Sequence, residues 1–208
     1  MKLKQLESLL GGLQQFSNPK CRWSWNSTLL DLTSPLACST LYRSFDASFF
    51  LTFFHFPCAA AALLGAEQVI GIDIDSQSLE IASMNAEDLE LEIDFIQCDI
   101  SNLGWRGQIV DTVVMNPPFG TRKKGADMDF LFVALKVASQ AVYSLHKTST
   151  RDHVKRAALR DLNASSAEVL CELRFDVPQL YKFHKKKEVD IAVDLWRFVP
   201  KRSRGKDI

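Results

Sequence analysis

The residues best suited to chemistry are Asn116, Pro117, Pro118 and Phe119, which directly follow a continuous apolar run. Two consecutive prolines cannot continue a central strand, so the chain must leave the sheet here in a fixed loop. The side-chain oxygen of Asn116 and the carbonyl of Pro117 are two acceptors, and together they match the two hydrogens of a planar amino group. Phe119 offers a face on which a flat ring can stack. We therefore interpret this loop as a site that holds and orients an exocyclic amine.

Acidic side chains follow two other apolar runs. Asp73 ends one run, with Asp75 placed to begin the next helix, and the second run ends in Gln97-Cys98-Asp99. In Rossmann-like folds an acid at such a strand end holds ribose hydroxyls, and Asp73 is the candidate for that role. Asp73, Asp99 and Asn116 are thereby predicted to lie at the tips of successive strands.

The elements that must position these residues alternate between strand and helix from Ala59 onward. Apolar runs predict strands over 68–74, 94–97, 109–115 and 141–145, and the periodicity predicts helices over 3–16, 59–64, 76–89, 127–140 and 150–162, with Ser76 as a helix cap. Alternating residues over 169–175 and 189–195 predict an antiparallel strand pair. The pattern indicates an α/β fold whose mostly parallel sheet has an antiparallel edge, with one domain over 1–200 and a flexible tail over 201–208.

Composition limits the alternatives. The 208 residues carry 25 Lys and Arg against 25 Asp and Glu, and 47% are apolar, so neither a polycation nor a mostly disordered chain is expected. Five unevenly spaced cysteines without a CxxC pair argue against a disulfide framework and a zinc site, and we expect no metal. The N-terminus lacks the apolar core of a signal peptide, which favours a reduced intracellular compartment.

Three stretches resemble the methyltransferase-like protein 5 family of ribosomal-RNA N6-adenosine methyltransferases. They are Asn116-Pro117-Pro118-Phe119-Gly120-Thr121, Ala141-Val142-Tyr143-Ser144-Leu145-His146-Lys147 and Tyr181-Lys182-Phe183-His184-Lys185-Lys186-Lys187. The resemblance covers about residues 1–20 and 59–199. It implies a Rossmann-like class I fold that uses S-adenosyl-L-methionine to methylate N6 of adenosine in ribosomal RNA. It also implies a small zinc-binding activator subunit as a heterodimer partner, a location in nucleus and cytoplasm, and no membrane association.

The same resemblance assigns roles to residues. Asn116, Pro117, Pro118 and Phe119 would form the catalytic loop around a flipped-out adenine. The cofactor would be bound by Asp73, Cys98, Asp99 and Asn116. From its position alone, Cys98 is a packing residue at a strand end rather than a nucleophile. Methylation of an amine by a sulfonium requires neither a protein nucleophile nor a metal.

Two basic stretches are candidates for RNA contact. The second of them interleaves lysines with aromatic rings, which combines phosphate neutralisation with stacking on unpaired bases. The candidates are Arg122, Lys123, Lys124, Lys182, Phe183, His184, Lys185, Lys186 and Lys187. A solvated hairpin tip would also explain such a lysine cluster. His146 and His184 have no acid at triad spacing along the chain, so no catalytic role is predicted for either.

Residues 21–58 depart from the rest of the chain. They contain six of the 14 Phe and three of the five Cys but only four charged side chains, and no glycine occurs between Gly12 and Gly65. The resembled family carries a glycine-rich cofactor loop after its first strand, because glycine lets the backbone approach the ligand closely. We therefore expect the first strand and this loop to be missing or replaced, and cofactor binding to be impaired.

Back-translation suggests an origin for this segment. Codons allowed for residues 22–31, read one base out of frame, encode Val-Glu-Leu-Glu-Gln-Tyr-Pro-Thr-Gly, which contains the Gln-Tyr-Pro-Thr segment of the resembled family. Continuing through Tyr42 gives Pro-His-Ile-Ala-Ser-Arg-Met-Leu-Tyr-Thr. Our hypothesis is that residues 21 to about 42 are translated out of frame and that the frame is restored at Ala59. A transcript that encodes these residues in the family's own frame would refute it.

Three other interpretations stay open. Residues 47–66 carry no charge and approach the length of a membrane-spanning helix, although Ser48, Thr52, His55 and Pro57 interrupt them. A similar Asn-Pro-Pro loop serves methyltransferases that act on a glutamine side chain of a protein. The chain could also be a non-catalytic isoform that binds RNA or the activator subunit.

Overall fold

The computed structural model describes residues 3–13, 49–53, 55–118, 125–178 and 188–202. Within these ranges five α-helices accompany seven strands. The helices are α1 (Leu3–Gly11), α2 (His55–Leu63), α3 (Ser76–Asp88), α4 (Ala126–Val137) and α5 (Arg151–Arg160). The strands are β1 (Phe49–Phe53), β2 (Gln68–Asp73), β3 (Asp94–Gln97), β4 (Val110–Met115), β5 (Ala138–Lys147), β6 (Ala164–Pro178) and β7 (Glu188–Pro200).

The seven strands form one sheet in the order β3-β2-β1-β4-β5-β7-β6. Strands β1 to β5 pair in parallel, whereas β7 runs antiparallel to both β5 and β6. Short crossovers through helices produce the parallel part, and the long hairpin of β6 and β7 supplies the antiparallel end. This architecture confirms the predicted mostly parallel α/β sheet with an antiparallel edge.

The first strand of the sheet is replaced rather than missing. Phe49–Phe53 lies in the sheet centre, with Leu51 opposite Ile70 of β2 on one side and Val113 of β4 on the other. The apolar and aromatic sequence FFLTF suits a strand with neighbours on both sides. Five residues of the atypical segment 21–58 therefore form the replacement for the expected first strand.

Apolar layers cover both faces of the sheet. One cluster packs Leu131 of α4 and Val154 of α5 against Val113 of β4 and Trp196 of β7. The opposite face packs Cys58 of α2 with side chains of the central strands, and α1 covers α2 from outside. With helices on both faces, the central strand β4 is buried along nearly its whole length, as expected for the run over 109–115.

Two predicted boundaries move where helix α4 meets strand β5. We expected a helix over 127–140 and a strand over 141–145, but the helix ends at Val137 and the strand already begins at Ala138. Residues 138–140 follow an apolar helix directly, so periodicity alone gives no break between the two elements. The pair of long strands at the C-terminal end is as predicted, and Pro200 ends β7.

The last hairpin is fixed to the parallel sheet by one buried acid. Asp194 of β7 has no exposed surface and accepts hydrogen bonds from Nε of Arg151 at 2.7 Å and from Oγ1 of Thr148 at 2.8 Å. The carboxylate raises the pKa of the Arg151 guanidinium, chiefly through this hydrogen bonding. A buried carboxylate is tolerated because such donors replace water.

Among the described residues, no helix is long and apolar enough to cross a membrane.

Candidate active site at the carboxyl edge of the sheet

The predicted site residues lie at one edge of the sheet. Asp73 pairs with Gln97 at the ends of β2 and β3, and Met115 pairs with Phe53 at the ends of β4 and β1. The strand order reverses between β1 and β4, and open α/β sheets bind ligands at such a switch point. The structure therefore brings Asp73, Asp99 and Asn116 to the same edge, as predicted.

Asp73 and Asp75 form an acidic turn at the tip of β2. The Asp75 amide donates to Oδ1 of Asp73 at 2.9 Å, and Oδ1 of Asp75 accepts from the Gln77 amide at 3.1 Å. Asp75 is thus the N-cap of α3, and the prediction of Ser76 as the cap is wrong by one residue. Burial and the Asp75 charge raise the pKa of Asp73, against the lowering effect of its amide hydrogen bonds.

Asp99 lies at the tip of β3, next to β2. Its Oδ1 accepts from the amide and the hydroxyl of Ser101 at 2.9 and 2.6 Å, which caps a single turn of 3-10 helix. The Cys98 amide donates to the Asp73 carbonyl at 3.0 Å, so the tips of β2 and β3 are joined directly. The Cys98 thiol contacts the Asp99 carbonyl oxygen at 3.2 Å, which fits a packing residue at the strand end.

The Asn-Pro-Pro loop leaves the sheet at the tip of β4. Asn116 is half-buried, and Pro117 and Pro118 are buried. Neither proline can donate a hydrogen bond, so their carbonyls are the only polar backbone groups they offer. The remaining predicted site residues lie outside the described residues: Phe119, Arg122, Lys123, Lys124, Lys182, Phe183, His184, Lys185, Lys186 and Lys187.

The structure adds two functional candidates, Ile74 and His146, that we did not predict from the sequence. Ile74, between Asp73 and Asp75, is an apolar side chain that is 50% exposed at the site, where it can pack on a flat ring. The sequence signal for this role was the position of an apolar residue between two acids at the end of a strand.

His146 is the second, and the prediction that it lacks an acidic partner is wrong. Its Nδ1 lies 3.2 Å from Oδ2 of Asp127, and its Nε2 lies 2.9 Å from Oγ of Ser144. Ser144 and His146 alternate on one face of an otherwise apolar strand, which was the signal available in the sequence.

The site fits one half of S-adenosyl-L-methionine. On the nucleoside side, Oδ2 of Asp75 is buried without a hydrogen-bond partner, and together with Asp73 it supplies acceptors for ribose hydroxyls. On the amino-acid side, a single residue separates the end of β1 from the start of α2, and no glycine occurs from Leu13 to Leu64. Glycine is what permits close backbone approach at such a turn. The sequence therefore lacks, at this turn, the glycines that would permit such an approach to the methionine half.

Comparisons with known proteins agree with this geometry. A family model described as a methyltransferase domain matches residues 52–129. The rRNA N(6)-adenosine-methyltransferase METTL5 of Danio rerio is 43% identical over 209 residues, covering 96% of this chain and 100% of that protein. The chain belongs to the METTL5 family. The corresponding Drosophila melanogaster protein is 37% identical, with 95% and 96% of the two chains covered.

Solved structures show the same fold as this METTL5 family member. The crystal structure of a candidate RNA methyltransferase from Pyrococcus horikoshii superposes with a TM-score of 0.74 at 25% identity, covering 96% of this chain and 98% of that one. A Thermoplasma acidophilum protein superposes with a TM-score of 0.61 at 21% identity, covering 95% and 98%. The chain is therefore a class I methyltransferase domain over nearly its whole length.

Proposed function

We propose that this chain transfers a methyl group from S-adenosyl-L-methionine to N6 of adenosine in ribosomal RNA. The main observation that supports this proposal is the position of the Asn116-Pro117 acceptor pair. It lies at the tip of β4, next to the switch point of the sheet and two strands from Asp73. Membership in a family whose Danio rerio and Drosophila melanogaster members are named rRNA N(6)-adenosine methyltransferases supports the substrate.

The residues of this chain have separate tasks in the reaction. When bound, the cofactor supplies an electrophilic methyl group on a sulfonium. Asn116 Oδ1 and the Pro117 carbonyl accept the two N6 hydrogens, which orients the amine and increases the electron density on its nitrogen. Asp73 and Asp99 hold the nucleoside part of the cofactor, and Phe119 stacks on the target base. The rigid proline pair keeps the acceptors in position without further ordering.

Methyl transfer to an rRNA fragment, followed by nucleoside analysis for N6-methyladenosine, tests this function. We expect N116A to reduce kcat at least 100-fold, because it removes one of the two acceptors of the reacting amine. S165A, which removes a hydroxyl at the opposite edge of the sheet, is the matched control and should retain activity. Methylation of a glutamine peptide instead of RNA would identify the protein-modifying alternative.

A heterodimer with a small zinc-binding activator subunit is part of the proposal. Its support is the resemblance to the family. Co-expression and affinity capture with purified activator test it directly. A chain that captures the activator and RNA but transfers no methyl group would be the non-catalytic isoform.

We further propose that the protein is present in nucleus and cytoplasm. The support is the proposed substrate, because ribosomal RNA is transcribed in the nucleus and used in the cytoplasm. Imaging of a tagged full-length chain should show signal in both compartments. Exclusive association with a membrane fraction would contradict this proposal.

A further inference from the structure

A buried polar chain links strand β5 to helix α4 beside the Asn-Pro-Pro loop. It runs from Ser144 Oγ to His146 Nε2 at 2.9 Å and from His146 Nδ1 to Asp127 Oδ2 at 3.2 Å. Ser144 and His146 have no exposed surface, and the Asp127 side chain is 19% exposed. Ser144 pairs in register with Met115, the residue before Asn116.

The surroundings of Asp127 in this polar network determine its protonation state. Burial alone would raise the pKa of Asp127, but its hydrogen bond and ionic attraction to His146 outweigh this, and the pKa is lowered. An ionised Asp127 accepts from Nδ1–H of His146, and the other ring nitrogen forms the hydrogen bond with the Ser144 hydroxyl. On β7, the buried Asp194 lies opposite His146 in register, but its oxygens accept from Thr148 and Arg151.

The connectivity is that of an acid, a base and a hydroxyl nucleophile, yet the burial excludes that chemistry. A substrate cannot reach a serine and a histidine that expose no surface. The ring of Phe198 packs edge-on against His146, with centroids 6.0 Å apart, and closes the remaining side. Satisfied polar groups in an apolar interior fix one geometry, because any other arrangement leaves a polar atom without a partner.

The contacts hold both ends of the connection that carries the acceptor pair. The chain leaves the sheet after Met115, which is held by its register with Ser144, and it returns at Gly125 before α4. The first turn of α4 carries Asp127, which is held by His146. Residues 144 and 146 of one strand therefore contact residues at both described ends of this connection.

We propose that His146 is a positioning residue for the amine-binding loop, acting through its contact with Asp127. This inference rests on the proposed function for the identity of the loop's ligand. The contact between β5 and the first turn of α4 does not depend on methyltransferase activity.

Two isosteric substitutions separate the two contacts of His146. In H146N the amide nitrogen lies where Nδ1 was, so the Asp127 contact is kept and the Ser144 contact is lost. In H146Q the amide nitrogen lies where Nε2 was, and the losses are reversed. Amide hydrogen exchange of Met128 and Asp129 reports on the turn, since both amides bond to the Gly125 carbonyl.

We expect H146Q and D127A to accelerate exchange of Met128 and Asp129 about tenfold relative to H146N, the effect of one lost charge-assisted hydrogen bond. The Leu79 amide, bonded to Asp75 in the first turn of α3, should be unchanged. L10A, in the separate core under α1, controls for a general loss of stability. Equal exchange in H146Q and H146N, or equal acceleration in L10A, would overturn the positioning role.

A kinetic arm distinguishes this inference from the proposed function. With rRNA as substrate, H146Q should lower kcat about tenfold and leave the affinity for S-adenosylhomocysteine unchanged, whereas H146N retains most of kcat. A wild-type chain without methyl transfer would refute the proposed function, and the exchange result would still decide the positioning role. Loss of cofactor affinity in H146Q with normal exchange would refute the positioning role alone.

Discussion

Asp73 combines a functional charge with an unfavourable environment. Because burial raises its pKa above the ordinary value of 3.8, the folded chain holds this proton more tightly than the unfolded chain does. Stability therefore falls as the pH rises from the unfolded pKa through the folded one, and the ionised form is the less stable at neutral pH. Such a penalty is typical of a residue retained for ligand binding.

D73N should raise the melting temperature at pH 7 and weaken binding of the nucleoside 5′-deoxy-5′-methylthioadenosine about tenfold. The amide oxygen still accepts from the Asp75 amide, but the charged acceptor for ribose hydroxyls is lost. Thermal scans and NMR titration measure the two effects. E80Q, on the exposed face of α3, should change neither. A lower melting temperature in D73N would contradict the proposed burial penalty.

Asp127 should show the opposite pH dependence. Its pKa is lowered, so its contribution to stability is present above the unfolded value of 3.8 and disappears as the pH falls through the folded pKa. D127N should reduce the free energy of unfolding by about 1–2 kcal/mol at pH 7 and by much less near pH 3. Denaturant titrations at both pH values test this, with the exposed D152N as control. A pH-independent difference would show that packing, not charge, sets the effect.

At the scale of elements, the contact among α2, β2 and β3 depends on one glycine. A Cβ at Gly71 would lie 2.8 Å from Cys58 Sγ and 2.8 Å from two ring carbons of Phe95. The glycine therefore allows the helix and the edge strand to approach the second strand closely. The same packing supports Asp73, two residues further along β2.

G71A should destabilise the chain by about 1–3 kcal/mol, because the backbone or both neighbours must shift. At Gly104 an added Cβ meets nothing within 4 Å, so G104A is the matched control and should change stability by less than about 0.5 kcal/mol. Urea unfolding of the two variants makes the comparison. Similar stabilities for both would show that α2 is not held against β2 as described.

At the scale of the whole molecule, strand β1 joins the two sides of the sheet, although it comes from the atypical segment 21–58. Strand β1 lies between the acidic tip of β2 and the tip of β4 that carries Asn116, yet it belongs to the glycine-free segment. The sheet is thus continuous through β1, although the turn after β1 lacks glycine. Translation of residues 21 to about 42 out of frame stays a prediction for transcript sequencing.

This arrangement predicts an unusual ratio of affinities. S-adenosyl-L-methionine should bind no more than about threefold tighter than 5′-deoxy-5′-methylthioadenosine, because the methionine half adds few contacts without the glycine turn. The Danio rerio relative, measured in parallel by calorimetry, should show a far larger preference for the complete cofactor. Micromolar binding of S-adenosyl-L-methionine with a strong preference over the nucleoside would refute the expected impairment.

Much of the site could be read from local patterns. Asp73, Asp99 and Asn116 each lie at the end of a short run with apolar residues, and the structure has a strand at each of these runs. The proline pair also acts locally, since it ends any strand at that point. The strand β1 was missed because an apolar run of five residues has no distinctive period, and the lack of glycine indicated that the first strand was missing or replaced.

The positions of the strand ends and the chemistry of their residues depend on neighbours along the chain, so local sequence patterns predict both. The folded arrangement of the sheet determines which of these ends lie side by side. It placed β1 between Asp73 and Asn116, and it joined Asp127 to His146, 19 residues away, through the crossing of α4 over β5. Strand order and helix crossing depend on the packing of the whole sheet, and no local pattern contains that information.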